Sequence, residues 1–407
     1  MPHAVPDVVG EGAGELLALA AATTGARVLG HALHAVDARP GDGTTAGYRV
    51  RVEHPDGSTG EDYLLLSTSA ARGVDPAAPG LVTLGSEAGR VLAWRFPGDP
   101  ALPGLAPACD PVRAATLLPR GPLAGLALVG YRPLRRAVVR LDGEDGPRWV
   151  KVLRTGADAR GGWADVRGRL EMLHAAGLPV PEVATEDEAL GLLVLEHLPG
   201  RPLLDAVVAD DARGVEVEHL VGLLDRLPAA VLDLPARPAW SDRARQYAGA
   251  LAGTPLAARA AGVAEAVRRG SADTDLGPLV PTHGDLHEGQ LTADPHHAGW
   301  RLRGLLDVDT VGPGHRVDDL ACLLAHAEAL GPAGAGVARR WRRDARRLAD
   351  PAALEVRAAG VLLSLAVGAH DRERAGAAPG AGPDAGGLLA LAEAALARCG
   401  AAQPSSR

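Results

Sequence analysis

The sequence predicts an α+β protein in which short strands come first and helices follow. Apolar runs of strand length, separated by turn residues, fill the chain up to Leu198, whereas helical spacing of apolar residues dominates from about Pro202 onward. The 407 residues are enough for two or three packed units with a sizeable core. We expect three domains and a disordered tail, with the boundaries 1–118, 119–198, 199–400 and 401–407.

The first predicted domain, residues 1–118, has the pattern of a small α/β cap. A helix candidate at Glu15–Ala22 precedes two strand candidates, Tyr48–Val52 and Asp62–Leu66, and the turn residues between these strands are typical of a hairpin. Val91–Phe96 adds a further strand. Since no pattern in this domain indicates chemistry, we interpret it as a structural cap on the domain that follows.

Residues 119–198 combine short strands with one helix. The strand candidates are Ala127–Tyr131, Arg136–Leu141, Trp149–Leu153 and Leu192–Leu198, and the helix candidate is Ala164–Ala176. This order resembles that of a kinase amino-terminal lobe. Lys151 lies in the middle of the third strand, where kinases carry the lysine that contacts phosphates.

The amino-acid composition is a second reason to assign a functional role to Lys151. It is the only lysine in the chain, and the sequence contains no Ile and no Asn, which indicates a GC-rich coding bias. Arg serves almost any surface role under that bias. The presence of a lysine at position 151 therefore indicates a role that Arg fills poorly, such as a phosphate contact.

The net charge and the cysteine content restrict which partners the protein is expected to bind and in which cellular compartment we expect it. A net charge of −8 argues against a general nucleic-acid or anionic-membrane surface. Cys109, Cys322 and Cys399 are scattered without metal-ligand spacing, which is typical of a reducing compartment. The apolar run Val361–Gly368 is too short to span a bilayer, and no Lys or Arg precedes the apolar run Leu16–Ala22. We expect a cytoplasmic protein; its oligomeric state stays open.

Residues 199–400 are predicted to be mainly helical around one polar segment. The helix candidates are Val215–Leu227, Trp240–Ala252, Ala257–Arg269, Asp319–Leu330, Gly336–Leu348, Pro351–Ala369 and Gly387–Arg398. The polar segment carries Asp285 and Gln290 in a loop and Asp307 at the end of a strand-like run. These side chains can converge at one sheet edge, where their oxygens suit a metal ion and a base for phosphoryl transfer.

The polar segment resembles the signature of the aminoglycoside phosphotransferase and choline kinase family. The matching residues are His283-Gly284-Asp285 with an amide five residues on, Leu305-Leu306-Asp307 and Asp319-Leu320-Ala321. The resemblance covers about residues 125–370 and implies a bilobal protein-kinase-like fold, with a small β-rich amino-terminal lobe and a mostly helical carboxyl-terminal lobe. It also implies ATP- or GTP-dependent, Mg²⁺-requiring phosphorylation of a hydroxyl group on a small molecule such as an aminoglycoside, a sugar or a related metabolite.

The resemblance further implies roles for single residues. Asp285 is expected to act as the catalytic base, and Asp307 and Gln290 are expected to bind Mg²⁺, with Gln290 in place of the family's usual Asn. Catalysis by such a site depends mainly on positioning and electrostatics.

The nucleotide is expected to contact the second predicted domain. Lys151 would bind the α- and β-phosphates, and its ion-pair partner on the following helix is left open between Asp165 and Glu171. The backbone groups of Glu196, His197 and Leu198 would meet the adenine edge, as the hinge does in kinases.

Several residues of the polar segment also have other interpretations. His283 and His287 have the H-x₃-H spacing of some zinc sites. Asp309 is left open between a second metal contact and simple solvation. One of Asp318 and Asp319 is explained by N-capping of the helix that begins there.

Two other functions stay open at this point. The Gln at position 290 and the missing helix Glu are compatible with a catalytically impaired nucleotide-binding module. A protein kinase is disfavoured because the chain lacks the arginine of a His-Arg-Asp motif and an Ala-Pro-Glu segment. One group of acidic residues could face a cationic aminoglycoside or form a solvated face: Asp205, Asp210, Asp211, Glu216 and Glu218.

Overall fold

The computed structural model describes residues 7–39, 42–69, 74–75, 77–85, 89–156, 161–376 and 382–402. The chain forms two compact units that alternate along the sequence. The first unit contains Met1–Arg167, Glu182–His197 and Asp371–Ala377, and the second contains Gly168–Pro181, Leu198–His370 and Ala378–Arg407.

The first unit begins with helix α1 and a five-stranded antiparallel sheet. The elements are α1 (Ala13–Ala22), β1 (Arg27–Arg39), β2 (Gly43–Glu53), β3 (Thr59–Ser67), β4 (Val82–Leu84) and β5 (Val91–Arg95), and the strand order is β1-β2-β3-β5-β4. The predicted hairpin is confirmed as β2–β3. Leu17 of α1 is fully buried in one cluster with Val50 and Leu66, so the helix covers one face of the sheet.

A second five-stranded sheet completes this unit. Its elements are α2 (Leu105–Cys109), α3 (Pro111–Ala115), β6 (Gly125–Arg132), β7 (Arg136–Gly143), β8 (Gly146–Leu153), α4 (Trp163–Ala175), β9 (Val183–Asp187) and β10 (Leu192–Glu196). The strand order is β6-β7-β8-β10-β9. Leu105 of α2 packs with Val139 and Val150, which lie on the buried face of this sheet. Five elements of this unit were not predicted from the sequence: β1, β4, β9, α2 and α3.

From residue 201 onward, helices dominate and two small sheets interrupt them. The helices are α5 (Leu203–Asp210), α6 (Val217–Leu224), α7 (Ala244–Ala250), α8 (Ala257–Asp273), α9 (Arg316–Ala329), α10 (Ala335–Ala345), α11 (Pro351–Arg374) and α12 (Ala385–Ala402). The short strands are β11 (Arg201–Pro202), β12 (Leu279–Thr282), β13 (Leu291–His296), β14 (Gly299–Leu305) and β15 (Gly312–His315). The sheets are β11-β13-β14 and β12-β15. Together they frame the polar segment.

Helix α11 corrects one expectation from the sequence. The apolar run at Val361–Gly368 belongs to a helix of 24 residues, so it is not too short to cross a membrane by length alone. However, 78% of the most apolar window of this helix is buried inside the protein, as in the core helix of a globular domain.

The predicted α+β class is confirmed, with a β-rich amino-terminal region that includes an extra sheet and a helical carboxyl-terminal region. The division at residues 118 and 198 stays a prediction. Of the predicted tail, residues 403–407 lie outside the described part of the chain.

Candidate active site

Residues 283–290, which we call the base loop, connect β12 to β13 and are fastened by a buried carboxylate. Asp319 is 0% exposed, and its two oxygens accept the backbone N–H groups of His283 (2.9 Å) and Gly284 (2.8 Å). Helix α9 starts at Arg316, with His315 as its N-cap, so Asp319 lies within the first turn. The capping interpretation of Asp318 or Asp319 was therefore wrong. Asp319 positions the base loop instead.

A second set of hydrogen bonds joins the base loop to residues 306–310, which we call the aspartate turn. The Thr310 hydroxyl donates to the carbonyl of His283 (2.8 Å). The His283 ring donates from Nε2 to the carbonyl of Leu306 (2.9 Å), since a carbonyl can only accept. In return, the Leu306 N–H donates to the carbonyl of Gln290 (2.8 Å). The two segments are therefore cross-linked through backbone groups at three points.

Asp307 and Gln290 are brought into contact by this arrangement. The Gln290 Nε2 lies 3.4 Å from the Asp307 Oδ2, and both side chains are half-buried. Asp307 has a φ of +47°, a left-handed conformation that a non-glycine residue adopts only when its surroundings enforce it. In this contact the Gln290 NH₂ faces the carboxylate, and rotation of the amide would turn its carbonyl oxygen toward an ion held by Asp307. The two oxygens together form a donor set that fits Mg²⁺, which binds few protein oxygens and keeps waters and phosphates as its other ligands.

Asp309 is 4% exposed and lies in the 3-10 turn Val308–Thr310, after the end of β14. Its interpretation as a solvated residue was therefore wrong.

Asp285 is half-buried in the base loop, and its Oδ1 lies 3.8 Å from the Cys322 Sγ. Burial raises the pKa of Cys322 well above its usual range, so this thiol is protonated and acts as the donor. Burial, with a smaller contribution from the Asp285 charge, also raises the pKa of Tyr247 to about 12. Tyr247 is 9% exposed, and its hydroxyl has no hydrogen-bond partner in the part of the chain that the structure describes.

The ring of His287 lies parallel to the ring of His326, with 4.2 Å between centroids and 8° between planes. Burial lowers the pKa of His326 to about 3 and also lowers the pKa of His287, so both rings are neutral at pH 7. The adjacent Glu288 has its pKa raised by burial to about 7. The structure thus pairs His287 with His326, rather than with His283 as the H-x₃-H spacing suggested.

The predicted nucleotide-contacting residues of the first unit lie on β8 and β10. Lys151 is half-buried in the middle of β8, in register with Val138 and Leu193. Glu196 ends β10, and its carboxylate pairs with Arg148 (3.1 Å).

The backbone N–H of Glu196 donates to the carbonyl of Glu182 (2.9 Å), so this N–H is already used. His197 follows, and its Nδ1 accepts a hydrogen bond from the Trp149 Nε1 (3.3 Å). Leu198 belongs to the second unit.

Helix α4 carries the residues between which the partner of Lys151 was left open. Asp165 accepts the N–H of Gly161 (2.8 Å), and Val166 is fully buried. Glu171 is exposed.

Arg169, which is 3% exposed on α4, was not predicted from the sequence to belong to the site. Its Nε donates to the carbonyl of Val311 (2.8 Å), directly after the aspartate turn. The two residues are 142 positions apart, so no local sequence signal could have revealed the bond.

A base loop and an aspartate turn that are cross-linked in this way are typical of an enzyme that transfers a phosphoryl group to a hydroxyl group. Residues 134–355, more than half of the chain, match the phosphotransferase enzyme family. The chain belongs to this family, and the resemblance found in the sequence is confirmed.

Solved structures of this kind are similar to the chain over most of their own length. The choline kinase LicA from Streptococcus pneumoniae is 15% identical, with 70% of this chain and 97% of that chain covered and a TM-score of 0.46. An aminoglycoside-3'-phosphotransferase of type VIII is 26% identical, with coverages of 63% and 97% and a TM-score of 0.41. No curated protein sequence matches the chain significantly. The family assignment comes from the sequence match.

Replacing Asp319 by Asn should destabilise the protein by about 1–3 kcal/mol, because one of two buried N–H groups then faces an amide NH₂. Displacement of the base loop should also lower turnover, by up to about 100-fold. Urea unfolding and steady-state kinetics measure both effects. Asp318→Asn is the matched control, since Asp318 lies beside Asp319 in the first turn of α9 and accepts neither N–H. Equal losses in both variants would contradict the role of Asp319.

Proposed function

We propose that the protein uses ATP or GTP with Mg²⁺ to phosphorylate a hydroxyl group on a small molecule. The observation that carries this proposal is the fastening of Asp285, Gln290 and Asp307 within one cross-linked pair of segments. Phosphoryl transfer needs a positioned base and oxygen ligands for a metal more than it needs covalent chemistry. Both features lie here on backbone that is fixed by buried hydrogen bonds.

Each residue of the candidate site has a separate role in the reaction. Asp285 accepts a hydrogen bond from the acceptor hydroxyl, orients its oxygen toward the γ-phosphate and takes up its proton as the new bond forms. Asp307 and Gln290 would hold Mg²⁺, which supplies charge neutralisation at the phosphate oxygens. Lys151 contributes a cation at the donor phosphates, and Glu171 is retained as its candidate partner.

The adenine or guanine base would bind at the end of β10. Since the N–H of Glu196 is used within the sheet, the backbone groups left for the base are the Glu196 carbonyl and those of His197 and Leu198. The Trp149 and His197 rings are stacked, with centroids 6.4 Å apart, and add an aromatic surface to this strand end.

The acidic residues considered for a cationic acceptor are already paired. Each lies against an arginine or a backbone N–H: Asp205 with Arg201 (3.0 Å), Asp210 with Arg213 (3.7 Å), Asp211 with the N–H of Val337 (3.2 Å), Glu216 with Arg340 (3.4 Å) and Glu218 with Arg347 (3.1 Å). The local charge is thus largely neutralised, which disfavours a polycationic aminoglycoside.

The groups near Asp285 favour an uncharged, polyhydroxylated acceptor such as a sugar. The Arg243 guanidinium lies 4.4 Å from the Trp240 ring centroid and 5.8 Å from that of Tyr247. A cation in this position repels a polycation. The buried Tyr247 hydroxyl, with no partner among the described residues, can bond to an acceptor hydroxyl.

Cysteine chemistry supports the proposed cytoplasmic location. Cys109, Cys322 and Cys399 are all free thiols, as expected for a reducing compartment.

Asp285→Asn should lower turnover about 10²–10⁴-fold, because the amide cannot take up the proton. It should leave nucleotide binding intact, whereas Lys151→Ala should weaken nucleotide binding. Calorimetric nucleotide titrations and coupled kinetic assays, with and without Mg²⁺, test this. Asp294→Asn, which alters a partly exposed aspartate of β13 paired with Arg303 (3.0 Å), is the control. Mg²⁺-independent nucleotide binding without turnover on any acceptor would favour the impaired module, and no nucleotide binding would refute the proposal.

Gln290→Asn tests the unusual metal ligand. The shorter amide moves away from Asp307 by one methylene group and leaves both oxygens to the ion, so we expect turnover to rise by up to about tenfold, or 1.4 kcal/mol. Gln290→Leu has a similar shape without the oxygen and should abolish Mg²⁺-dependent turnover. A fall in turnover in Gln290→Asn would show that the loop is adapted to the longer side chain.

Tyr247→Phe tests the acceptor site. Removal of the unpartnered hydroxyl should lower kcat/KM for a neutral sugar acceptor about 2–10-fold, the value of one neutral hydrogen bond. Stability should not fall, since no bond within the protein is lost. Measuring kcat/KM for a panel of neutral sugars and for a panel of aminoglycosides shows which class of acceptor the enzyme prefers. Higher kcat/KM for the aminoglycosides would refute the neutral acceptor while leaving the phosphotransfer proposal intact.

A further inference from the structure

Three potential metal ligands meet where the base loop lies against helix α9. His287 and Glu288 come from the base loop, and His326 comes from the last turn of α9. One ligand atom from each side chain lies within 4.8 Å of the others. This cluster, which we call the His-Glu-His cluster, contains neither Asp307 nor Gln290.

One oxygen of the Glu288 carboxylate lacks a partner in this position. Glu288 is 5% exposed, and its Oε2 has no hydrogen-bond partner among the described residues. Within the same part of the chain, no arginine or lysine forms an ion pair with it. A buried carboxyl oxygen without a partner is costly, so its presence favours a ligand that supplies positive charge or a donor.

The two imidazoles beside it are suited to ligation. Each neutral ring keeps one nitrogen lone pair, and neutral imidazole is a common ligand of zinc and related ions. Turning the His287 ring toward an ion would break the hydrogen bond from the Gly289 N–H to its Nδ1 (3.1 Å). The bonds formed to the metal ion outweigh the loss of this one weak bond.

We propose that His287, Glu288 and His326 bind a divalent transition metal ion of the Zn²⁺ class, at a site separate from the Mg²⁺ ligands. Two imidazoles and a carboxylate form a ligand set that zinc accepts, with water in the fourth position. Zinc bonds of about 2.0–2.2 Å place ligand atoms about 3.4 Å apart in a tetrahedral site. Ligand atoms within 4.8 Å of each other reach that spacing by side-chain rotation.

A second grouping shares one of these residues. Ligand atoms of Asp285, Cys322 and His326 also lie within 4.8 Å of one another. We favour the His-Glu-His cluster because Glu288 has an unpartnered oxygen, whereas the Asp285 carboxylate and the Cys322 thiol already contact each other.

The test is titration of the EDTA-treated full-length protein with ZnCl₂ in excess MgCl₂, followed by calorimetry, with CoCl₂ absorption as a second probe. We expect one Zn²⁺ per chain. Glu288→Gln and His326→Phe should each weaken binding by at least about tenfold. His326→Phe keeps a ring against His287, and Glu288→Gln keeps the size of the side chain, so circular dichroism of both should match that of the wild type.

Two controls make the assignment specific. The His296→Ala/His297→Ala double variant removes an exposed pair of rings 3.9 Å apart that could collect zinc on the surface, and it should leave the measured site intact. Cys322→Ser should also leave it intact. Loss of the site in either control, retention in Glu288→Gln, or no Zn²⁺ binding by the wild type would each overturn the proposal.

Occupation of this site should restrain the loop that carries Asp285, so Zn²⁺ should inhibit phosphotransfer. This consequence rests on the proposed function, whereas the binding titration does not. We expect Zn²⁺ to inhibit the wild type at least about tenfold more strongly than Glu288→Gln, in proportion to the loss of binding. Equal inhibition of both would overturn the regulatory consequence. Absence of turnover with every acceptor would count against the proposed function alone.

Discussion

The carboxylate of Asp319 is the constraint on which the geometry of the candidate site depends. A fully buried carboxylate is tolerated only where charge-assisted hydrogen bonds replace its hydration, and the N–H groups of His283 and Gly284 provide them. Gly284 has a φ of +80°, and a Cβ built there would lie 2.8 Å from the carbonyl oxygen of Thr310. The peptide before Asp285 is therefore held between a helix and the aspartate turn, with no room for a side chain.

The same fastening accounts for the strained backbone of Asp307. A left-handed aspartate is unfavourable in isolation and persists because the neighbouring bonds fix it from both sides. His283 bonds to Leu306 before the strained residue, and Arg169 bonds to Val311 after the turn. Backbone groups and distant side chains therefore carry the positioning of the two segments that hold Asp285 and Asp307.

The elements that depend on local sequence patterns could be predicted from the sequence. Helical spacing located α8 and α9, and the turn between alternating runs located the β2–β3 hairpin, because these signals lie within a few residues. Strand β1 was missed because bulges beside Gly30 and Ala35 interrupt its alternation. One of Asp318 and Asp319 was assigned to a cap because capping is the local explanation for an aspartate at a helix start, but the buried one, Asp319, binds the base loop. Its actual partners are 35 and 36 residues away, and only the folded chain brings them together.

The two ends of the base loop differ in whether their buried polar groups have partners. At the end bound by Asp319, hydrogen bonds within the protein satisfy these groups, and such complete networks rigidify a segment. At the end beside His326, the Glu288 carboxyl is buried near two neutral rings with one oxygen unpartnered among the described residues. A cation is the ligand that satisfies all three groups at once. The loop would then depend on one ion for the phosphates and on another for its own conformation, and its rigidity would become responsive to metal supply.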